Sequence, residues 1–265
     1  MNYSYTLWVA ALLLGMLAAL EIGRRIGIAH NRGDKASSGK GLGPVEGAVF
    51  ALLGLLLAFT FSGAASRFEQ RRDLIVQEAN AISTAYLRLD LLDHTAQARL
   101  RPLFRAYVQS RLDSYKLIDQ GEQAFRAGYD RSIALQQEIW QQATVAVQQR
   151  TSPAVMTLVL SAINEMIDLT AVRVAAMHNH PPLIIYVLLM MFTLAGGLIA
   201  GYGMAVAHKR HWLHMILFAV CVTGTVYVIL DLEYPRHGLI RVDTIDQYLE
   251  DVLSGMKLVV PADSK

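Results

Sequence analysis

Between Pro44 and Pro102 the chain holds no proline, and its 265 residues contain seven prolines and one cysteine in all. The proline gap removes the usual helix breaker from that stretch. A helix from Val45 to Leu92 is therefore predicted, about 70 Å long at 1.5 Å per residue and more than twice the thickness of a hydrocarbon core. The lone Cys221 excludes an intrachain disulfide. Charge of one sign is scarce: 24 Lys+Arg stand against 22 Asp+Glu, a net +2 that gives no reason to expect nucleic acid as a partner. Enzyme signatures are missing too. There is no glycine-rich dinucleotide turn after a strand, no phosphate loop, no His-Glu-x-x-His and no Cys-x-x-Cys. The chain reads as no enzyme, with no cofactor and no bound metal. His178 and His180 have no third ligand nearby, and beside a double proline they read as a helix end.

What the chain has in abundance is apolar sequence, 54% of its residues. Four runs approach the roughly 20 residues that a span needs: Tyr5–Leu20, Gly47–Ala65, Leu183–Ala207 and Trp212–Leu230. Residues 1–66 thus hold two spans joined by a flexible basic loop, 67–180 an extramembrane helical domain, 181–232 two further spans, and 233–265 a tail. The first run has no basic residue ahead of it and is followed by Arg24 and Arg25, so it reads as a span rather than a cleaved signal. The 67–180 segment carries 13 Lys+Arg and 12 Asp+Glu and is helical in period throughout. Phe68, Ile75, Ala79, Ile82, Tyr86 and Leu89 share one stripe, which continues the second span. A second helix is capped by Asp93 or Thr95 and marked by Leu100, Leu103, Phe104, Tyr107, Leu112 and Tyr115. A Gln-rich third covers Glu122–Gln149 on a thin stripe. A fourth starts at Ser152-Pro153, shows Met156, Val159, Ile163, Ile167, Thr170 and Val174 on its apolar face, and ends near His178. The fold class is all-α: a four-span integral membrane protein whose second span continues into an extramembrane helix.

Small residues recur every four positions at Gly15, Ala19, Gly23 and Gly27, at Gly54, Ala58 and Ser62, and at Gly197 and Gly201. Such spacing lets helix backbones approach in lipid. Packing within the chain and a subunit interface explain it equally. Charges flank the spans. Glu21 lies at helical spacing from Arg24 and Arg25, and Glu46 occupies a first turn, where the helix dipole favours an anion. Asp231 and Glu233 can cap the fourth span, pair with Arg236, or ring a pore in an assembly. Arg67, Glu69, Arg71, Arg72, Asp73, Glu78 and Asn80 stand at three- and four-residue intervals just past the second span, the pattern of a solvated salt-bridged face, but they surround the helix, so some must meet other helices. They form a candidate charged network below the span. Basic residues in the two short loops, among them Lys35, Lys40, Lys209 and Arg210, make those loops cytoplasmic by the positive-inside rule and put the helical domain on the other side.

The stretch Gly54-Leu-Leu-Leu-Ala-Phe59, then Ser-Arg67-Phe68-Glu-Gln-Arg71-Arg72, Glu78-Ala-Asn-Ala-Ile and Tyr86-Leu-Arg-Leu-Asp, resembles a bacterial membrane family described as bestrophin-like. The tail Leu230-Asp-Leu-Glu-Tyr-Pro-Arg-His-Gly-Leu-Ile-Arg241-Val is similar to the same family. More distantly the chain resembles bestrophin channels, whose well-known members are pentameric anion channels with an apolar neck on the second helix. Matching Arg67-Phe68 to their Arg-aromatic pattern implies neck positions at Ala51, Leu55 and Phe59, with Ser62 below. Thr60, Phe61 and Ser62 stand where that pattern has an arginine and asparagines. The resemblance also implies a cytoplasmic helical domain, opposite to the loop charges. It implies an oligomeric channel or pore-like protein in a bacterial inner membrane, a homo-oligomer, pentameric by analogy, with the bilayer and ions as partners. The alternative reading is a non-conducting membrane sensor or scaffold whose helical domain binds a partner protein.

Overall fold

The computed structural model describes residues 4–33, 43–117, 121–150, 152–206, 212–235, 238–240 and 247–256, which hold eight α-helices and no strand. The helices are α1 (Ser4–Gly33), α2 (Gly43–Arg88), α3 (His94–Lys116), α4 (Glu122–Arg150), α5 (Pro153–His178), α6 (Leu183–Gly203), α7 (Trp212–Glu233) and α8 (Gln247–Gly255). Two compact units divide them: Met1–Phe68 with His180–Leu239, and Glu69–Asn179 with Ile240–Lys265. Four helical stretches are long and apolar enough to cross a membrane, within Leu7–His30, Gly43–Leu91, Pro153–Gly203 and Trp212–Glu233. The chain is an all-α, four-span membrane protein.

In the first unit α1 lies against α6 and α7. The small residues explain how. A Cβ placed on Gly23 would overlap the Leu198 carbonyl, and one on Gly201 would overlap the Leu20 carbonyl. At Gly197 it would come within 2.7 Å of the Met16 sulfur. The Gly15–Ala19–Gly23–Gly27 stripe and the Gly197–Gly201 pair are thus two sides of one intrachain helix contact. Gly54 behaves differently: among the described residues nothing lies within 4 Å of a Cβ there. Helix α1 also runs past Leu20, where the sequence reading ends the span. Glu21 accepts hydrogen bonds from Arg24 Nε (3.0 Å) and Arg25 Nε (2.8 Å), so the helix carries its own counter-charge through the basic flank.

In the second unit α3, α4, α5, α8 and residues 69–88 of α2 enclose a core whose fully buried members include Ile82, Leu89, Leu100, Phe104, Ile139, Ile163 and Met166. Local chemistry sets the helix ends. After Arg88 the chain tightens into a 3-10 turn at Leu89–Leu91. The Ala96 N–H donates to Asp93 Oδ1 at 2.9 Å, and that bond holds the exposed Asp93 carboxyl below its ordinary range. Ser152 caps α5, whose first residue is Pro153. The thin stripe of α4 is completed by Ser132 and Gln136, both buried. Residues 34–42, 207–211, 241–246 and the side chain of Arg32 lie outside the described residues, and with them most of both basic loops and Arg241.

The packing predicts a contrast between glycines. Gly201→Val, which drives a side chain into the α1 backbone, should lower stability in detergent by about 1–3 kcal/mol, the usual range for overpacking. Gly224→Ala, where a Cβ meets nothing within 4 Å, should leave the thermal midpoint unchanged or slightly raised. Equal midpoints for the two variants would contradict the intrachain reading of the stripe.

Candidate functional site

Helix α2 is one continuous element of 46 residues with two distinct faces. Phe50, Leu53, Leu57, Thr60, Ala64, Arg67, Arg71, Leu74, Glu78, Ala81 and Ala85 follow one another in alternating steps of three and four, and every one is buried or half-buried. That regular step keeps a single stripe facing its neighbours along the whole helix. On the other side Ala51, Leu55, Ala58, Phe59, Ser62, Ser66, Glu69, Asp73 and Asn80 are all exposed. The four neck positions therefore do share an open face, with Phe59 at 68% exposure the most open of the aromatic residues there.

The charged cluster past the span divides between the buried stripe of α2 and the rest of the helix surface. Arg67, Arg71 and Glu78 belong to the buried stripe, and each meets a different partner. Arg67 donates from Nε to Glu233 Oε1 at 2.8 Å, and from Nη2 to the same oxygen. Glu233 has no exposed side-chain surface. Its Oε2 lies 3.4 Å from His180 Nδ1, and the His180 ring stacks on Tyr234 with centroids 4.7 Å apart. Arg71 donates from Nε to the Ala176 carbonyl (3.1 Å) and from Nη2 to the Asn179 carbonyl (3.0 Å), satisfying the exposed carbonyls at the end of α5. Arg72 pairs with Glu69 at 2.9 Å along the helix surface, while Asp73 and Asn80 are exposed. Of the span-end charges, Asp231 is buried and accepts from the Leu239 N–H (3.1 Å), and Glu46 is half-buried beside Gly203. Arg236 lies outside the described residues.

Glu78 anchors the densest polar site. Its Oε1 accepts from Arg111 Nε at 2.8 Å, and Oε2 accepts from Arg173 Nη1. Glu78 and Arg111 have no exposed side-chain surface, and Arg173 has 4%. Tyr115 lies beneath the Arg173 guanidinium at 3.7 Å. Tyr107 OH and Thr170 Oγ1 are 2.6 Å apart, and Gln136 Nε2 donates to Tyr107 at 3.1 Å. Burial alone would raise the Glu78 carboxyl, but the Arg111 and Arg173 charges overcome it and hold the group below the usual range. Glu78 lies thirteen residues beyond Ala65, the end of the apolar run of α2. Burial, reinforced by Glu78, pushes the Tyr107 phenol up to about 12, so it stays protonated. The site holds charges in hydrogen bonds rather than a reactive group beside a cavity, which makes it a structural clamp on α2, α3 and α5. A separate groove of about 520 Å³ runs between α2 and α5, lined by Gln77, Asn80, Thr84, Asn164, Glu165 and Asp168 among others. Among the described residues no group of three or more His, Cys, Asp or Glu is placed to hold a metal ion.

The profile of the bestrophin-like domain matches residues 9–246. The chain belongs to the bestrophin-like family. Among solved structures, a tryptophan-to-alanine variant of a bacterial bestrophin homologue from Klebsiella pneumoniae aligns with a TM-score of 0.68 at 14% identity, covering 93% of this chain and 98% of that one. A leucine-to-threonine variant of the homologue gives 0.66 at 15% identity, covering 92% and 99%. No curated protein matches. The likeness to these structures is one of fold. In this bestrophin-like chain the partners Arg111 and Arg173 were not singled out from the sequence, and Tyr107 and Tyr115 were read only as members of an apolar stripe. Their signal was present, since Tyr107, Arg111 and Tyr115 are spaced by four on the apolar side of α3.

Neutralising the clamp should be costly. Glu78→Gln leaves Arg111 and Arg173 buried without their carboxylate and should lower stability by about 3–5 kcal/mol above pH 5. Because the folded Glu78 titrates below its unfolded value, its contribution is complete above the ordinary carboxylate range. It is lost as pH falls through the lower, folded value. Unfolding curves of parent and variant in detergent should therefore converge only on acidification. A gap that widens toward low pH would contradict the arrangement.

Proposed function

We propose that this chain is an oligomeric ion channel, or pore-like membrane protein, in which α2 helices of several copies surround a shared axis. One observation carries the reading. The face Ala51–Leu55–Phe59–Ser62 is open on the single chain, although the opposite stripe of the same helix is closed against its own neighbours. The bestrophin family and fold, known from ion channels, are its second support. On this reading Leu55 and Phe59 from each copy form an apolar constriction that gates by dewetting, and Ser62 begins a polar lining. The assembly is a homo-oligomer, pentameric by analogy, in a bacterial inner membrane with the two short basic loops in the cytoplasm. Glu69 and Asp73 are exposed on α2, whereas Asp231 and Glu233 are buried within the chain, so on this reading the lining below Ser62 comes from α2. The chemistry is passage of ions, with no catalytic group involved.

The groove between α2 and α5 favours a second reading, a non-conducting sensor or scaffold whose helical unit binds a partner protein. Phe59→Ala separates the two. Removing the bulkiest apolar side chain at the constriction should raise ion flux into liposomes several-fold, since a wider and less apolar neck wets more readily. Capture of any partner by the helical unit should be unchanged. Purified protein that passes no ion in any tested salt, or a variant that alters partner capture alone, would favour the scaffold.

A further inference from the structure

In the first unit α2 meets its neighbours through side chains rather than close backbone approach. Phe50 stands edge-on to Phe218 with centroids 6.0 Å apart, and Leu53 lies against Gly196. Apolar contacts of this kind set the rotation of a helix weakly in lipid, because acyl chains solvate its other faces about equally well. The ion pair at Arg67 is directional. Glu233, the last residue of α7, receives Arg67 on one carboxylate oxygen and faces His180 with the other, all within this unit. Gly63 leaves room for the guanidinium to lie along the helix: a Cβ there would come within 3.2 Å of Arg67 Nη1. At about 100° per residue, Arg67 lies roughly 80° around the helix from Phe59 and roughly 120° from Leu55. Holding Arg67 toward α7 therefore turns both neck residues away from it.

We propose that Glu233 is a positioning residue: by pairing with Arg67 it sets the rotation of α2, and with it the direction in which Leu55 and Phe59 project. The consequence for ion passage rests on the channel reading, whereas the control of rotation does not. A buried carboxylate that loses its charge no longer favours one guanidinium position, so α2 then samples a second rotation.

The test uses the full-length protein in liposomes with two readouts. A nitroxide at Phe59→Cys, in a Cys221→Ala background, reports rotation; ion flux is measured on unlabelled protein. Glu233→Gln and Arg67→Gln should each shift the label to a second spectral population and lower flux about tenfold. The double variant should be no worse than either single one, because both remove the same interaction. Glu233→Asp, which keeps the charge, should fall between parent and Glu233→Gln. A label at Leu213→Cys, on the exposed side of α7, should not change, which separates rotation of α2 from loss of fold. An unchanged Phe59 label in folded Glu233→Gln protein overturns the proposal, and so do additive losses in the double variant. If the label shifts but the parent passes no ion, positioning by Glu233 stands and the channel reading falls.

Discussion

A charged side chain on the buried stripe of a helix must find its counter-charge or hydrogen bonds at the spot where that stripe faces, or the burial costs several kcal/mol. Helix α2 carries three such residues in twelve positions. Arg67 finds the Glu233 carboxylate, Arg71 finds the carbonyls that end α5, and Glu78 finds Arg111 and Arg173. The partners lie on α7 for Arg67, at the end of α5 for Arg71, and on α3 and α5 for Glu78, so within its own unit each is satisfied at one angular setting of the stretch of α2 that carries it. The apolar members of the stripe, Leu53, Ala64, Leu74 and Ala81, follow the same phase. Packing and electrostatics thus choose the same face, the agreement between levels expected of a sequence with one native arrangement.

That choice leaves the other face of α2 open. Around it the first unit is closed by small residues: α1 and α6 meet at glycines where no Cβ fits, and α7 joins them through buried Met215 and Ala219. These contacts use up the small-residue stripes of α1 and α6 within one chain. At the stripe of Gly54, Ala58 and Ser62, nothing among the described residues lies within 4 Å of a Cβ placed on Gly54. In the channel reading it meets the same face of further copies, and the apolar neck follows from where the charges lie on the opposite side.

Much of the fold was legible because it is locally encoded. The cap at Asp93, the Ser152-Pro153 start and the apolar stripes of α3 and α5 depend on residues within one or two turns of each other. The α4 core face was only thinly visible because Ser132 and Gln136 fill it in place of apolar side chains. At the candidate site the neck face was readable from its spacing, but the charged cluster was not resolved into its parts. Phase alone separates Arg67, Arg71 and Glu78 from Glu69, Arg72 and Asp73, since the former share the heptad of Leu53 and Leu74. Their partners could not be found this way. Glu233 is 166 residues from Arg67, and Arg173 is 95 from Glu78, so the pairings exist only once the helices have packed.

In the channel reading the Ala51–Leu55–Phe59–Ser62 face of α2 belongs to a common axis of several copies. Imaging of the purified full-length protein by electron cryomicroscopy tests it directly, at a resolution that follows helix orientation. A closed ring of subunits is expected, with this face of every α2 turned inward and Phe59 among the residues nearest the axis. A monomer, or a ring in which that face is turned to the lipid, would contradict it.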